Sequence, residues 1–596
     1  MSSDKSHSAE WVDDVWFGLH YDLHARDSDT ELGAELTAEH LKERLERVKP
    51  DWVQCDCKGH PGYTSYPTTI GSPSPGIVRD ALQIHRQVAD ELGIPLSVHY
   101  SGVLDTRAIE LHPEWAARDP EGEIIGRAEG RSDVTCRLSA YVDELVIPQM
   151  LDVIDRYDVD GFWVDGDCWA VRNCYCDRCR EVFEERTGIT EPPTDPEDPN
   201  WDLWREFQRD MFVEYVRKYT DAVHERKPEC AVCSNWMYSA RHPGEVTVDV
   251  DYLSGDLSPS WGAERGVMEG RCLDSRGLPW NLMAWSFCRP GLDVPYQTKT
   301  AAQLCQEAGE IMSCGGAVML YDQPQRTGWL TGWHQDLFAE VAEFCRARKP
   351  FCEHSTSVPD AVVLHSEEHV FTHVEAPFNP LGNDTLMPMQ GAVHALLENH
   401  FHVDINDEQT LRKHIDDYGL VVVPEQDPIS DAMPGALEEY ARGGGIVLMT
   451  GLHLAARHGD LVGVKPAGDV TEGRWHLPVD DEAATVSEQW QPVQTTDAEV
   501  YCSIMDQQEV GKDETSWPAV TVRTVGEGAV IAIHGPVMSS FFKTHHPRLR
   551  RFLEKLLDDM NVPRRVRIEG PPNLECTLRE KDGMLAVSLV NRAADP

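Results

Sequence analysis

From residue 15 to about residue 325, the chain alternates between short apolar runs and longer stretches with helical periodicity. This alternation predicts a parallel β/α domain, because a parallel strand needs a crossover helix to return the chain to the sheet. Eight such units close a barrel of the usual size. The predicted strands are Val15–Leu23, Trp52–Cys57, Leu96–Tyr100, Gly161–Val164, Cys230–Trp236, Tyr252–Leu257, Trp280–Phe287 and Ala317–Tyr321. The predicted helices include Ala38–Val48, Ile77–Leu92, Tyr141–Tyr157, Trp204–Glu225 and Lys299–Met312. We therefore predict an α/β chain that begins with a (β/α)₈ TIM barrel over residues 1–355.

A second α/β pattern follows Lys349-Pro350. Its predicted strands and helices are Asp360–His365, Gly391–Asn399, Tyr418–Pro424, Ala436–Arg442, Gly443–Thr450, Val530–His534 and Pro547–Met560. This order predicts a doubly wound, flavodoxin-like domain over residues 356–561. Residues 562–596 read as a short C-terminal β segment that breaks off mid-pattern at Leu589-Val-Asn591, so we expect an incomplete third domain.

The charge of the chain excludes several classes of partner. Asp and Glu number 101 against 54 Lys and Arg, which gives a formal net charge of −47. Such a surface repels phosphate backbones and anionic membranes, so we expect no nucleic-acid partner and no membrane partner. The acids are spread along the whole chain, a pattern similar to the proteins of salt-in halophiles, which predicts a cytoplasmic haloarchaeal protein. Residues 1–8 contain no apolar core of an export signal, and no run approaches the ~20 apolar residues of a membrane span.

One acid stands at the end of a predicted buried strand, in Gly161-Phe-Trp-Val-Asp-Gly166. In a (β/α)₈ barrel the active site is built where the strands end, so Asp165 is placed for chemistry. The alternative is that Asp165 caps a loop or the next helix. Other polar and aromatic residues lie at or just past the ends of the predicted strands, namely His20, His24, Lys58, His60, His99, Asn235, Trp236, Asp256, Trp285 and Asp322.

Three thiols lie just past the fourth predicted strand, in Cys174-Tyr-Cys176-Asp-Arg-Cys179. A CxCxxC turn can direct its sulfurs to one point, as a tetrahedral zinc ion requires. A zinc ion with four thiolates has no open position, so the site would be structural and would fix the loop beside Asp165. The alternative is three reduced cysteines without a metal. Most of the other cysteines among the 17 are expected to be reduced and buried.

The barrel segments resemble glycoside hydrolase family 29, the α-L-fucosidases. Phe162-Trp-Val-Asp-Gly166 is similar to the nucleophile strand of that family, and Trp16-Phe-Gly-Leu-His20 is similar to its first strand. Cys57-Lys-Gly-His-Pro-Gly62 resembles its Lys-His-His-Asp-Gly segment, with departures at the first His and at the Asp. Gly255–Glu264 resembles a segment that carries the acid/base Glu in some members, and Gly315–Pro324 resembles the last strand.

This resemblance implies a retaining glycosidase. Such an enzyme needs an ionised carboxylate to attack the anomeric carbon and a protonated carboxyl about 5–5.5 Å away. The resemblance assigns the nucleophile to Asp165 and the acid/base to Glu264, with Glu269 and Asp256 as alternatives. It also implies that His20, Lys58 and His60 bind sugar hydroxyls and that Trp236 or Trp285 covers the apolar face of the ring. Each of these residues has an alternative role as an ordinary core residue.

A second resemblance is to the family 42 β-galactosidases. They carry the same cysteine motif after the fourth strand and a further cysteine before it, which implies Cys136 as the fourth ligand, with Cys168 as the alternative. The second domain is similar to their trimerisation domain, which has a glutamine-amidotransferase-like fold without that catalysis. This implies a homo-oligomer, a trimer or a dimer, although an accessory domain in a monomer is the alternative.

Three functions follow from the sequence. The first is a retaining glycoside hydrolase that cleaves α-L-fucosides or a related oligosaccharide or glycoside. The second is a β-galactosidase of the family 42 type, but Asp165-Gly166 and Leu282–Phe287 stand where that family has its two catalytic carboxylates. The third is a catalytically silent carbohydrate-binding or scaffold protein. The sequence does not fix the sugar, the anomer or the linkage.

Overall fold

The computed structural model describes residues 9–127, 131–257, 262–288, 296–378, 384–512 and 514–592. The first part of this described chain contains eight parallel strands that form one sheet. They are β1 Phe17–Tyr21, β2 Trp52–Lys58, β3 Leu96–Ser101, β4 Gly161–Asp165, β5 Ala231–Ser234, β6 Leu253–Asp256, β7 Trp280–Trp285 and β8 Ala317–Asp322. Each lies within one or two residues of a predicted strand, and nearly every residue in them is buried, as expected for strands covered on both faces.

The sheet is a nearly closed barrel. Its strand order is β5-β4-β3-β2-β1-β8-β7-β6, and every neighbouring pair along this path is parallel. The remaining gap lies between β5 and β6. Backbone hydrogen bonds of 3.0 Å from Asp251 to Val232 and from Trp236 to Ser254 span it. The predicted TIM barrel is confirmed.

Helices surround the barrel. They are α1 Ala38–Val48, α2 Ala81–Leu92, α3 Ile147–Tyr157, α4 Asp177–Thr187, α5 Trp201–Arg226, α6 Gly262–Asp274, α7 Ala301–Ser313 and α8 Gly332–Cys352. Local sequence sets their ends. Thr37 caps α1 by accepting a hydrogen bond from His40, while Leu41 and Leu45 form its buried stripe. The predicted start of α2 at Ile77 is four residues early, because the side chain of Asp80 caps the helix.

The second domain is built on a nine-stranded sheet. Its strands are β9 Ala361–Leu364, β10 Val403–Asn406, β11 Leu420–Pro424, β12 Ile446–Thr450, β13 Thr471–Val479, β14 Glu482–Trp490, β15 Glu499–Met505, β16 Glu514–Val525 and β17 Gly528–Ile533. Its helices include α9 Glu367–His373, α10 Met387–Leu397, α11 Glu408–His414, α12 Met433–Arg442, α13 Val537–Thr544 and α14 Pro547–Asp559. The parallel half has the order β10-β9-β11-β12-β17, which is the flavodoxin order and confirms the doubly wound prediction.

The antiparallel half of this sheet, β16-β15-β13-β14, was not predicted. A C-terminal hairpin of β18 Leu574–Lys581 and β19 Met584–Asn591 pairs with Thr356–Ser357 and forms the expected C-terminal β segment. The hairpin is tied to the barrel through buried charges. The Arg271 guanidinium lies 2.5 Å from the Glu575 carboxylate, and that of Arg579 lies 2.8 Å from Asp274.

None of the helices in the described ranges combines the length and the apolar character that crossing a membrane requires.

Candidate active site

A cavity of about 450 Å³ opens at the carboxyl ends of the barrel strands. This is the end at which (β/α)₈ barrels carry their active sites. The residues that line it are His20, Asp22, His24, His60, His99, Trp163, Asp165, Trp169, Trp236, Arg241, Asp256, Leu257, Arg265, Met283, Trp285 and Tyr321. Imidazoles, carboxylates and indoles therefore face one space.

Asp165 is held at the end of β4 by a dense set of donors. Its Oδ1 accepts hydrogen bonds from the backbone of Gly166 at 2.6 Å, from Trp169 Nε1 at 3.0 Å and from Asn235 Nδ2 at 2.7 Å. Its Oδ2 lies 3.3 Å from His60 Nε2 and 3.4 Å from His99 Nε2. Gly166 turns the chain away with φ +64°. One carboxylate oxygen is thus fixed, while the other has longer contacts.

The surroundings of Asp165 keep its carboxyl ionised. Burial alone would raise its pKa, but the hydrogen bonds from His60 and His99 and the charge of the His99 imidazolium outweigh burial and hold the pKa well below its usual value. Burial lowers the pKa of His60 itself, so this imidazole acts on Asp165 as a neutral donor. The Asp165 side chain keeps 13% of its surface exposed, toward the cavity. An ionised, partly exposed carboxylate is the form that a nucleophile requires.

Asp256, at the end of β6, is the second carboxyl in the cavity. Asn235 Nδ2 donates to Asp165 Oδ1 at 2.7 Å and to Asp256 Oδ1 at 2.9 Å, so these two oxygens are no more than 5.6 Å apart. Burial and the negative charge of Asp165 raise the pKa of Asp256 to about 6. The pKa values of these two neighbouring carboxyls thus differ. Such a difference is typical of a base or nucleophile that lies beside a general acid.

Trp236 orients this second carboxyl. Its Nε1 donates to Asp256 Oδ1 at 3.0 Å, and its backbone has φ +66°, an uncommon conformation for a large residue. The indole packs on Gly255, where a Cβ atom would lie 2.5 Å from the ring. Glycine at position 255 is therefore needed for this arrangement.

Glu264, the acid/base expected from the sequence, is not brought to Asp165. It lies on α6, and its carboxylate is 3.5 Å from His394 Nε2 of the second domain. The contact with His394 lowers the pKa of Glu264. Glu269 is buried and accepts a hydrogen bond from the backbone of Ala240 at 3.2 Å. Neither Glu is among the described residues that line the cavity, and positions 258–261 of the segment resembling family 29 lie outside the described residues. Of the alternatives, the structure brings Asp256 to Asp165.

Lys58 is also corrected by the structure, since it is not a sugar contact. Its side chain is fully buried, and its Nζ lies 2.8 Å from Asp105 Oδ2, 2.7 Å from the Tyr141 hydroxyl and 3.0 Å from the Ser101 carbonyl. The ammonium group is therefore committed to an internal network.

The other expected sugar contacts do line the cavity, namely His20, His60, Trp236 and Trp285. His60 Nδ1 lies 2.8 Å from the Ser101 hydroxyl, which leaves its Nε2 directed at Asp165. His20 Nδ1 lies 3.1 Å from Gln54 Nε2, and burial lowers the pKa of His20 to about 3, so this imidazole is neutral.

His99 connects Asp165 to a second buried acid. Its Nε2 faces Asp165, and its Nδ1 lies 3.4 Å from Asp56 Oδ1. Burial would lower the pKa of His99, but the charge of Asp22 and the hydrogen bonds with Asp165 and Asp56 raise it well above its usual value. His99 is therefore an imidazolium whose Nε2 donates to Asp165 and whose Nδ1 lies in ion-pair distance of Asp56.

Asp22, His24 and His99 also have ligand-type atoms within 4.8 Å of one another. The tautomer of His24 does not suit a metal. Its Nδ1 accepts a hydrogen bond from the backbone N–H of His60 at 3.2 Å, so its Nε2 carries the proton and donates to Asp22 Oδ2 at 2.5 Å. A metal on Nε2 would place a proton on Nδ1, directed at that N–H. The arrangement is that of a neutral imidazole that donates to the Asp22 carboxylate.

Several cavity residues were missed by the sequence reasoning: Asp22, Trp163, Trp169, Arg241, Arg265 and Tyr321. Asp22 and Tyr321 lie within one residue of the ends of the predicted strands Val15–Leu23 and Ala317–Tyr321 and could have been included on that ground. Trp169, Arg241 and Arg265 lie on loops or on α6. No local sequence pattern predicts that their side chains point into the cavity.

Four cysteines form a separate cluster beside the barrel. The sulfurs of Cys136, Cys174, Cys176 and Cys179 lie within 4.8 Å of one another, and Cys136 Sγ is 3.5 Å from both Cys176 Sγ and Cys179 Sγ. A tetrahedral site with Zn–S bonds near 2.3 Å needs sulfurs about 3.8 Å apart, so this donor set fits a metal ion. The cluster contains Cys136, the fourth ligand that the resemblance implied, while Cys168 is buried outside it.

Comparisons with known proteins agree with this architecture. Residues 37–166 match the family model GHL6, described as hypothetical glycosyl hydrolase 6. No curated protein sequence gives a significant match. The chain is similar to the structure of α-L-fucosidase isoenzyme 2 from Paenibacillus thiaminolyticus, with a TM-score of 0.79 and 19% identity over 95% of this chain and 87% of that one.

Two β-galactosidase structures are also similar. That from Bacillus circulans sp. alkalophilus has a TM-score of 0.70 and 15% identity, over 97% of this chain and 93% of that one. That from the Antarctic haloarchaeon Halorubrum lacusprofundi has a TM-score of 0.68 and 16% identity, over 97% of this chain and 99% of that one. The resemblance to glycoside hydrolases is confirmed: the chain has a glycosidase-like fold from the barrel through the second domain.

Proposed function

We propose that this protein is a retaining glycoside hydrolase that cleaves α-L-fucosides or a related glycoside, with Asp165 as nucleophile and Asp256 as acid/base. The observation that carries the proposal is the shared donor Asn235, which keeps the two Oδ1 atoms no more than 5.6 Å apart, a limit that accommodates the spacing of about 5–5.5 Å used in double displacement. Asp256 replaces Glu264 in this role because Glu264 faces His394 instead of the cavity.

In the first step, Asp165 Oδ2 bonds to the anomeric carbon while the glycosidic C–O bond breaks. The leaving oxygen takes the proton of Asp256, whose raised pKa keeps part of the population protonated near neutral pH. Three donors on Asp165 Oδ1 hold the carboxylate in place, so little reorganisation accompanies the attack. In the second step Asp256, now ionised, takes a proton from water, and the water oxygen displaces Asp165 from the anomeric carbon.

The sugar ring is proposed to lie between the histidines and the indoles. His20 and His60 offer ring nitrogens to hydroxyl groups, and Trp285 or Trp236 offers an apolar face. An aromatic wall with a few convergent polar groups is the usual construction of a small-molecule site.

We assign zinc to the cysteine cluster, held by Cys136, Cys174, Cys176 and Cys179. With four thiolates the ion keeps no open position, so it stabilises the loop after β4 and supplies no step of the reaction. That loop carries Trp169, whose Nε1 donates to Asp165, which links the cluster to the nucleophile.

The surplus of acid supports a cytoplasmic enzyme of a salt-adapted cell, which keeps its activity in molar KCl. The second domain is proposed to pack subunits into a homo-oligomer, a trimer or a dimer, which light scattering on the purified protein would measure.

Hydrolysis of aryl α-L-fucosides and aryl β-D-galactosides tests the function, in molar salt, with wild type, Asp165→Asn, Asp256→Asn and Glu264→Gln. The proposal expects fucoside cleavage that is lost in the first two variants and kept in Glu264→Gln. Galactoside cleavage alone would favour the β-galactosidase alternative, and no cleavage of any glycoside in a wider panel would favour a silent binding protein. Activity that survives Asp165→Asn would overturn the mechanism.

A further inference from the structure

Two arginines line the cavity on the side of Asp256. Arg241 follows β5 and is 3% exposed, and Arg265 lies on the first turns of α6. The guanidinium carbon of Arg241 lies 5.1 Å from the ring centroid of Trp236, the residue that donates to Asp256. Basic residues are a minority in this chain, 54 against 101 acids, so two in one cavity wall need an explanation.

The two arginines give this side of the cavity a positive character. Burial and the nearby charge of Arg265 lower the pKa of Arg241, while the charge of Glu269 opposes this effect. The two arginines line the same cavity, and the charge of Arg265 acts on Arg241, as do those of the carboxylates of Glu269 and Asp256. During the first chemical step Asp256 is protonated and adds no compensating charge.

The rest of the cavity has the opposite character. Asp22 and Asp165 lie on the β1 and β4 side, among the histidines. A negatively charged group would be repelled there and attracted at the arginines. Guanidinium groups bind oxyanions through paired N–H donors, which suits a carboxylate or a sulfate ester.

Building on the proposed function, we infer that Arg241 and Arg265 form a subsite for an oxyanion, a carboxylate or sulfate group, carried by the leaving group of the glycoside. The leaving-group side follows from the position of Asp256. This residue protonates the leaving oxygen, and the charge of Arg241 interacts with Asp256 and Glu269 on the same side of the cavity. The substrate class is thus an acidic glycoside, and the two arginines determine specificity.

The test compares kcat/KM for three aryl glycosides of the sugar that the enzyme cleaves, with 4-carboxyphenyl, 4-(sulfooxy)phenyl and neutral 4-carbamoylphenyl leaving groups. The inference expects at least one anionic substrate to exceed the neutral one by about tenfold or more at low salt, with a ratio that falls as salt screens the charges. Whichever anion is preferred identifies the chemistry of the subsite.

The variants are Arg265→Gln, Arg241→Gln and, in case the buried Arg241→Gln protein fails to fold, Arg241→Lys. The glutamine variants are expected to bring the anionic-to-neutral ratio close to one, while Arg442→Gln, an exposed arginine paired with Glu438 in the second domain, keeps the wild-type ratio. A wild-type ratio of one or less, with hydrolysis of the neutral substrate, would overturn the subsite and leave the glycosidase proposal intact. If no substrate is cleaved, the binding of the same three compounds is measured by calorimetry. Equal affinities would overturn the inference. Tighter binding of an anionic compound than of the neutral one, with this difference lost in Arg265→Gln, would support it.

Discussion

Asp165 and Asp256 accept hydrogen bonds from one and the same amide nitrogen, that of Asn235, at 2.7 and 2.9 Å. A single neutral donor thus sets the spacing of two carboxyls that come from strands β4 and β6. Asp165 is stabilised as an anion, and its charge raises the pKa of Asp256. We therefore expect Asp165 to act as the nucleophile and Asp256 as the acid.

Replacing Asn235, the shared donor, tests whether it sets the pKa values of the two carboxyls. In Asn235→Ala both carboxyls lose a hydrogen bond to their ionised forms, so the pKa of each rises. We expect kcat to fall by about 10²-fold, as on the loss of one preorganised donor, and both limbs of the pH profile of kcat/KM to move to higher pH. An unshifted profile would mean that Asn235 does not set the two pKa values.

The wild-type pH profile follows from the same two groups. Asp165 must be ionised and its pKa lies well below 3.8, whereas Asp256 must be protonated and its pKa is about 6. The value of kcat/KM should therefore stay level in mildly acidic solution and decline as the pH rises through about 6. In Asp256→Asn this decline should disappear, and the rate for a poor leaving group should drop by about 10²–10⁴-fold. Glu264→Gln is the matched control and should keep the wild-type profile.

Lys58 is expected to act through stability. Lys58→Met leaves the Asp105 carboxylate buried without its cation, which should lower the free energy of unfolding by about 3–5 kcal/mol. Urea unfolding measures the loss. The double variant Lys58→Met with Asp105→Asn should recover part of it. If Lys58→Met had unchanged stability and a raised KM, Lys58 would instead be a substrate-binding residue.

The cysteine cluster predicts a bound metal. Purified protein should contain about one zinc per chain by mass spectrometry, and Cys136→Ser should lose the zinc and lower the melting temperature. Cys168→Ser, a buried cysteine outside the cluster, should keep the zinc. If the two variants contained equal amounts of zinc, Cys136 would not be a zinc ligand.

The barrel could be predicted because strand and helix periodicities differ, and each parallel strand is an uninterrupted apolar run. Asp165 could be located for the same reason, since a strand end fixes the direction of its side chain. The antiparallel strands of the second domain could not, because strands such as Thr471–Val479 carry exposed polar residues and lack that apolar run.

The identity of the acid/base and the role of Lys58 could not be predicted, because both depend on contacts between residues that are far apart in the sequence. Glu264 contacts His394, which is 130 positions later, and Lys58 at the end of β2 forms a buried ion pair with Asp105, which follows β3. Only the packed structure contains these pairs. Cys136 lies 38 residues before the cysteine motif and was expected only from the resemblance to family 42, and the structure places its sulfur in the cluster.

Covalent trapping tests the central claim most directly. A 2-deoxy-2-fluoro glycosyl fluoride of the cleaved sugar slows the second step, so the glycosyl-enzyme accumulates and peptide mass spectrometry locates the adduct. We predict one adduct per chain, on the peptide that carries Asp165, and none in Asp165→Asn. An adduct on Asp256 or Glu264, or turnover with inversion and without any adduct, would contradict the mechanism.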